Sequence, residues 1–535
     1  MSPSLPRSGI TLAALHRLAA VTVLGFASGL PLALTGQALQ AWLTVEGLDL
    51  AAIGFLSIVG LPYTFKFLWA PLMDRFECVA ALGRRRGWLV LTQLVLAALL
   101  LALAAASPKD SLRVFALLAL AVAFASASQD VVVDAYRTDL LGAAERGLGA
   151  SLGVMGYRLA MILSGGVALI WTDAQQGGGW SWPEVYRFMA GVMVAAAVVS
   201  LLLLPRLPRL PRAEVDASPA AGGGRGAARH DLLGFLAVLA AVAFGVVVSD
   251  RFAPGLAKAL VGPWLEGSAL PAPLRQRWVD LTALLMGIAF TLPLAAWVAR
   301  RVRFETLLAG LSSYFAMPGA VGFLFFIVLY KLGDAFAGSL MTAFLLKSMA
   351  YTSAEVGVVN KVIGLWLTIG GALVGGAMML KLGLWRSLVI FGVLQLLSNL
   401  GFWWLAVGGK GSLGGALLPA FDWGFVKLAA ATPVDGALLM VVAFENISGG
   451  MGTAAFVAFL MSLCNQRFTA TQYALLSAFA SVGRVWVGPL AGVLAESIGW
   501  PDFFLLSTLF ALPALLMLWW QRAPMRALEA APSAA

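Results

Sequence analysis

The chain has 535 residues, 61% of them hydrophobic and only 12% charged, with a formal net charge of +10. A soluble domain carries about 25% charged residues, so the composition excludes a soluble enzyme or binding module and points to a multi-helix integral membrane protein. The basic excess needs no nucleic acid to explain it, because Lys and Arg collect in cytoplasmic loops of membrane proteins and no basic-aromatic module occurs.

Arg7 and Arg17 precede an apolar run that superficially resembles a signal peptide. That run is about a full span long and many spans follow, so it reads as a retained first helix. Hydropathy predicts spans at about 18–41, 52–73, 87–106, 112–136, 149–171 and 187–205. A Pro-, Gly- and Arg-rich linker at 206–231 follows and reads as disordered or loosely held. Two spans come next, at about 232–250 and 278–299, then a basic amphipathic connector at 300–317. Six more follow at about 319–345, 355–378, 387–407, 436–461, 472–495 and 502–520.

The predicted fold class is an all-α polytopic membrane protein of about fourteen helices. Its parts are a first six-helix half (1–205), the linker (206–231), an inserted helix pair with its connector (232–317), a second six-helix half (318–521) and a tail (522–535). With both termini cytoplasmic, roughly twice as many Lys and Arg fall inside as outside, as the positive-inside rule asks. Segment 251–277 is the exception: it carries Arg251, Lys258, Arg275 and Arg277 yet is expected as an outside loop. Residues 408–435 are expected as a periplasmic loop with some interfacial structure. Cys78 and Cys464 fall in predicted cytoplasmic loops, and no disulfide framework or metal site follows from them. His16 and His230, the two histidines, lie outside the spans.

The stretch 128–137, Ser-Gln-Asp-Val-Val-Val-Asp-Ala-Tyr-Arg, closes the fourth span. Asp130 and Asp134 are one helical turn apart on one face, with Asp130 about 9 Å from the middle of the predicted span. A carboxylate at that depth is a functional candidate; Asp134 also fits a helix-end cluster with Arg137. Lys66, Arg158, Lys331, Asp334, Lys361, Glu445 and Arg484 likewise cannot be placed in loops. Each would cost roughly 2.5–3.5 kcal/mol at a lipid-facing helix centre, so they should line a polar cavity or pair with one another. Lys331 and Asp334 are spaced to pair on one helix, either as a structural lock or as part of that cavity. Five cations against three carboxylates suit a substrate with several negative charges, which Arg grips through two hydrogen bonds. Trp42, Tyr63, Trp69, Tyr157 and Trp366 are placed to stack on sugar rings or to serve as packing and interface aromatics. The two halves read as weak parallel repeats, the mark of a transporter with its site between them.

Several long stretches then carry a resemblance. Among them are Gly-Phe-Ala-Ser-Gly-Leu-Pro (25–31), Leu-Pro-Tyr-Thr-Phe-Lys-Phe-Leu-Trp-Ala-Pro-Leu-Met-Asp-Arg (61–75) and Ser-Gln-Asp-Val-Val-Val-Asp-Ala-Tyr-Arg-Thr-Asp (128–139). Leu-Tyr-Lys-Leu-Gly-Asp-Ala-Phe-Ala (329–337), Phe-Glu-Asn-Ile-Ser-Gly-Gly-Met-Gly-Thr (444–453) and Gln-Tyr-Ala-Leu-Leu-Ser-Ala (472–478) continue it. Over nearly its whole length the sequence resembles the AmpG-type muropeptide permeases of the major facilitator superfamily. The resemblance implies proton-driven import of GlcNAc-anhydroMurNAc-peptides across a Gram-negative inner membrane for peptidoglycan recycling, with an indirect part in β-lactamase induction. It implies no cofactor beyond the proton gradient, and a monomer in the lipid bilayer is expected.

On this reading the proton-coupling candidates are Asp130, then Glu445, Asp334 and Asp134. The substrate-binding candidates are Gln129, Arg158, Lys66, Lys331, Lys361, Arg484, Trp42, Tyr63, Tyr157 and Trp366. Asp74, Arg75, Arg84, Arg85 and Arg86 resemble the superfamily's gating loop between helices two and three, with longer spacing here. The rival within the fold is a carrier of another anionic metabolite, such as an acetyl-coenzyme A-like solute. A polytopic acyl or glycosyl transferase is the rival from another class. Its buried His, metal-carboxylate cluster or extramembrane catalytic domain is not found in the sequence.

Overall fold

Span-length apolar runs fold as helices because a helix satisfies its own backbone groups, as the bilayer core demands. The computed structural model describes residues 12–46, 59, 61–79, 81–143, 145–172, 179–207, 225–268, 271–302, 305–339, 341, 344–352, 355–356, 358–422, 427–428 and 431–530. Among them, twelve helices are long and apolar enough to cross a membrane. Of the two other expected spans, 52–73 is described only at 59 and 61–73, and 472–495 lies inside a 30-residue helix.

The first half comprises α1 (Leu12–Thr35), α2 (Gln37–Val45), the short α3 (Leu61–Phe65) and α4 (Ala70–Arg75), α5 (Arg84–Ala105), α6 (Leu112–Leu140), α7 (Arg146–Met161), α8 (Ala168–Thr172) and α9 (Trp182–Leu202). A 3-10 turn at Lys66–Leu68 joins α3 towards α4, and a π-helix at Ile162–Val167 links α7 to α8. The insertion is α10 (Arg225–Glu266) and α11 (Ala272–Arg301), followed by α12 (Glu305–Phe315). The second half comprises α13 (Ala320–Tyr330), α14 (Leu332–Ser339), α15 (Gly364–Leu382), α16 (Leu384–Trp404), α17 (Gly436–Ser462), α18 (Thr469–Ile498) and α19 (Trp500–Trp520). A last helix, α20 (Arg522–Ala530), occupies the stretch expected as a tail.

Contacts fix which joins share an end. His16 Nε2 meets the Leu203 carbonyl at 2.7 Å, Arg17 pairs with Glu145, and Glu529 accepts from the Trp385 N–H. The described residues of 76–83 and 141–145, together with 463–468, whose Gln466 carbonyl accepts from Arg84, and α20 therefore lie at one end with the start of α1, the near end. The join at 106–111 lies at the far end, where Lys109 pairs with Glu46 at 2.8 Å.

One loop expectation is overturned. Segment 251–266 is not a loop: α10 runs on through it as one helix of 42 residues. At ~1.5 Å per residue that is about 63 Å, longer than the roughly 40–45 Å of a whole bilayer. The described residues of the loop expected at 408–435 carry antiparallel strands, with β1 (Gly415–Leu418) paired to β4 (Thr432–Asp435) and β2 (Phe421–Asp422) to β3 (Lys427–Leu428). Val434 and Thr432 turn inward, while Leu417 and Pro433 face out. Lys410 anchors the base of the hairpin, its ammonium donating to the carbonyls of Met349 and Ala350 and lying 4.3 Å from the Tyr351 ring centroid. Asp435 caps α17 through the Leu438 N–H at 2.9 Å, and its own N–H donates to Glu355 at 2.7 Å.

Within each half one helix pair packs backbone to backbone. A methyl group at Gly25 would run into the Gly153 carbonyl oxygen, and one at Gly156 into that of Thr22, so α1 and α7 touch directly. In the second half α15 and α17 meet the same way, Gly371 against the Ile447 carbonyl and Gly450 against that of Thr368. Small residues allow this approach, which supplies helix association in lipid. Gly376 of α15 lies against Ser151 of α7 and joins the halves.

Candidate functional site

Helix α6 continues four residues past the span predicted for it, to Leu140, so its middle falls near Ser126. Asp130 is then four residues, about 6 Å, from that middle. The Ser28 hydroxyl of α1 donates to Asp130 Oδ1, and among the described residues Asp130 makes no ion pair. One turn on, Asp134 is held by two cations: Arg137 Nη2 at 2.7 Å and Lys66 Nζ at 3.5 Å. The helix-end cluster expected of Asp134 and Arg137 is thus present, with Lys66 added. Tyr63 and Tyr157 are close enough to feel the Asp130 charge, and the Tyr63 hydroxyl lies 3.3 Å from Thr35 Oγ1. Trp69 donates to the Ser128 hydroxyl at 3.0 Å. Arg158 is half-buried on α7 beside this cluster.

The second half carries its own cluster at a helix break. Lys331 ends α13, and its ammonium lies 3.6 Å from Asp334 Oδ2 and 3.4 Å from Thr453 Oγ1. Gln395 Nε2 donates to the same Asp334 oxygen at 2.6 Å. The ammonium also lies near the Tyr330 and Phe456 rings, which stack at 5.5 Å. Glu445 feels the Asp334 charge, and its buried Oε2 has no hydrogen-bond partner among the described residues.

The structure places three more of the substrate candidates. Trp42 is 1% exposed, packed 5.0 Å from both Phe115 and Tyr186, which leaves its ring no face for a sugar. Gln129 is fully buried, with neither side-chain polar atom bonded among the described residues; on a helix its side chain points about 100° away from that of Asp130. Trp366 is half exposed on α15. The side chains of Lys361 and Arg484 lie outside the described residues.

A third cluster joins the halves at the near end. Asp74 and Arg85 are buried and pair at 2.8 Å, and Arg85 Nε also meets Asp139 at 2.9 Å. Helix α18 begins at Thr469 without a cap from its own N-terminal flank. The carboxylate of Asp74, from the other half, takes that place. It accepts from the Ala470 N–H at 3.2 Å, the Thr471 N–H at 2.7 Å and the Thr471 hydroxyl at 2.6 Å. An anion is favoured at a helix N-terminus, where the first backbone N–H groups lack partners. Asp139 accepts from the Thr469 hydroxyl at 2.5 Å, and Arg84 donates to the carbonyls of Arg467 and Gln466. Arg137 donates to the Tyr473 hydroxyl at 2.8 Å, tying the Asp134 cluster to α18. These bonds tie the two halves together at the near end. Arg75 is half-buried at the edge of this cluster. Arg86 lies apart from it and donates to the Leu201 carbonyl at the end of α9.

Asp139, Thr469, Thr471 and Tyr473 were not among the sequence candidates. Asp139 and Tyr473 nevertheless lie inside the stretches 128–139 and 472–478, which carried the resemblance.

Comparison with known proteins decides the family. The anhydromuropeptide permease of Escherichia coli (strain K12) is 40% identical over 502 residues, covering 94% of this chain and 79% of that one. The chain belongs to the anhydromuropeptide permease family. By that relationship it is a permease, and its fold is that of solved major facilitator transporters. An uncharacterized protein of Haemophilus influenzae is 31% identical over 496 residues, covering 93% of this chain and 92% of that one. A family model described as acetyl-coenzyme A transporter 1 matches residues 18–176. Among solved structures, the Escherichia coli fucose:proton symporter aligns with a TM-score of 0.54 at 12% identity, covering 94% of this chain and 98% of that one. The human organic anion transporter MFSD10 aligns at 0.52 and 14%, covering 95% and 98%. At such identities these two support the fold alone.

Proposed function

We propose that this protein imports GlcNAc-anhydroMurNAc-peptides across the inner membrane of a Gram-negative bacterium by proton symport, for peptidoglycan recycling. The 40% identity to a permease of that name, running over 94% of the chain, carries the reading. The protein works as a monomer with both termini in the cytoplasm, so the near end is the cytoplasmic gate. Residues 1–205 and 318–521 are the two moving halves, joined by the linker at 206–231, with 232–317 as an insertion and 522–535 at the cytoplasmic surface.

Asp130 is the proton-coupling acid. Asp134 is satisfied by Lys66 and Arg137, whereas Asp130 is met by the Ser28 hydroxyl and no cation within 4 Å among the described residues. Protonating Asp130 therefore breaks no ion pair; protonating Asp134 would leave two cations buried without a counter-charge. A carboxylate that binds and releases a proton couples the gradient to transport. Lys66, Arg158, Lys331 and Arg137 supply the cationic surroundings that a substrate with several carboxylates needs.

The test is uptake of labelled GlcNAc-anhydroMurNAc-tripeptide into membrane vesicles, wild type beside Asp130→Asn, with and without a protonophore. Uptake abolished by both perturbations is expected. Coupled uptake by Asp130→Asn removes the proton-site assignment, and no uptake by folded wild type removes the substrate. In that event the second reading, a carrier of an acetyl-coenzyme A-like anion, gains ground. The family model over residues 18–176 favours it, and uptake of labelled acetyl-coenzyme A tests it.

A further inference from the structure

We propose that the near end of the second half carries a binding site for one anionic phospholipid headgroup, built by α20 and the turn between α15 and α16. Two guanidinium groups lie there against two indoles. Arg526 stands 4.7 Å from the Trp385 ring centroid and Arg522 5.3 Å from that of Trp519, and the two indoles are 6.4 Å apart. The four side chains therefore form a ladder in the order Arg526, Trp385, Trp519, Arg522, with the two indoles between the two guanidinium groups.

The ladder is held in place from below. Met525 of α20 is fully buried. Glu529 accepts from the Trp385 N–H at 2.6 Å, and the Trp385 indole donates to the Leu518 carbonyl at 2.9 Å. Arg522 and Arg526 are four apart, one turn along the same face of α20, and both are exposed. Neither has a carboxylate partner among the described residues, although Glu529 is only three residues from Arg526. Lys381 and Arg386, exposed on the adjoining turn, add two more positive charges.

Depth selects the partner. Trp519 and Trp520 end an apolar span and are 63% and 78% exposed, while Trp385 lies in the first turn of another. Indoles at span ends sit at headgroup level. There each guanidinium lies against a ring and both arginines stay exposed, so their N–H edges are available to a ligand at that level. A phosphodiester supplies the two or more acceptor oxygens those edges need, with the charge-assisted geometry that Arg favours. A zwitterionic headgroup would bring its own cation into the same cluster. The site is independent of which solute is carried.

The experiment is native mass spectrometry of the purified full-length protein titrated with phosphatidylglycerol, phosphatidylcholine of the same acyl chains, or inorganic phosphate. Wild type is expected to retain one phosphatidylglycerol in preference to phosphatidylcholine. R522Q/R526Q should lower that retention by about thirtyfold, from the loss of two basic residues at the surface. R300Q/R301Q, with the same loss of charge at the end of α11, should retain it. Equal loss in both variants, unchanged retention in R522Q/R526Q, or equal retention of phosphatidylcholine overturns the proposal. Displacement of the lipid by millimolar inorganic phosphate overturns it too, because the site would then be one for a free ion. Melting without lipid checks the fold. If the double variant melts early, R522Q alone carries the comparison.

Discussion

Replacing Asp74 by Asn should open the near end. The buried Asp74 carboxylate is paired with Arg85 at 2.8 Å and accepts three hydrogen bonds from the first turn of α18. The Asn amide keeps one acceptor oxygen, turns its other polar atom into a donor facing donors, and removes the charge. Removing one partner of a buried pair costs about 3–5 kcal/mol. Arg85 keeps Asp139 at 2.9 Å, so the lower figure applies, and about 3 kcal/mol shifts the closed-to-open ratio by roughly 150-fold. Cys464 reports the change. It is half-buried in the join between α17 and α18, and burial pushes its thiol well above the usual range. The thiolate is the reactive form, so maleimide alkylation at neutral pH is slow while the end is closed. Opening hydrates the thiol and returns it towards about 8.5, so the rate should rise and its climb with pH should begin lower in Asp74→Asn than in wild type. The assay needs a Cys78→Ser background, because Cys78 is exposed. An unchanged rate and pH profile in a folded Asp74→Asn protein would refute the assignment of this carboxylate as the latch.

Tyr473→Phe removes only the hydroxyl that Arg137 meets at 2.8 Å. About 1–2 kcal/mol is expected, seen as a fivefold to thirtyfold rise in Cys464 alkylation; no rise would disconnect Arg137 from the gate. Trp42→Ala should destabilise by about 3–5 kcal/mol through the cavity it leaves. Its KM for uptake should not change, and a large KM effect at unchanged melting temperature would return Trp42 to the substrate site. Glu355→Gln weakens the bond to the Asp435 N–H, a loss of about 1–2 kcal/mol at the base of the hairpin. Protease cleavage within 410–435 should then accelerate, and equal cleavage rates would count against that anchor.

Much of the architecture was readable because an apolar run of some 20 residues has few alternatives in a bilayer. The Lys331–Asp334 pair was readable too, since spacing alone puts both on one face. Extension of α10 through Asp250, Arg251 and Lys258 was not, because charges look the same in a loop as on a helix that has left the hydrocarbon. Strand pairing at 415–435 depends on Val434 and Thr432 finding an apolar patch made by distant helices. Ser28 beside Asp130 is separated from it by 102 residues, and no local pattern announces such a partner. The same holds for Asp74 capping α18 across 396 and 397 positions. Of the two readings open for Trp42, the structure shows the packed environment, which the sequence could not single out because a helical aromatic shows its residue type in the sequence and its facing only in the packed bundle.

The backbone contacts between α1 and α7, and between α15 and α17, bear on which substitutions can be repaired. A collision with a neighbouring side chain is relieved by shortening that neighbour. Gly149 is of this kind, since a methyl there meets the Leu141 side chain, and Gly147 faces Met379. A collision with a carbonyl oxygen has no such remedy, because every residue carries the same carbonyl. Gly25, Gly156, Gly371 and Gly450 are of this second kind. In a suppressor selection, Gly149→Ala should regain function through Leu141→Ala or another trimming change, while Gly25→Ala and Gly450→Ala should yield true revertants alone. The protein's freedom to drift is thus partitioned residue by residue, by whether each glycine faces a replaceable group or the peptide chain itself.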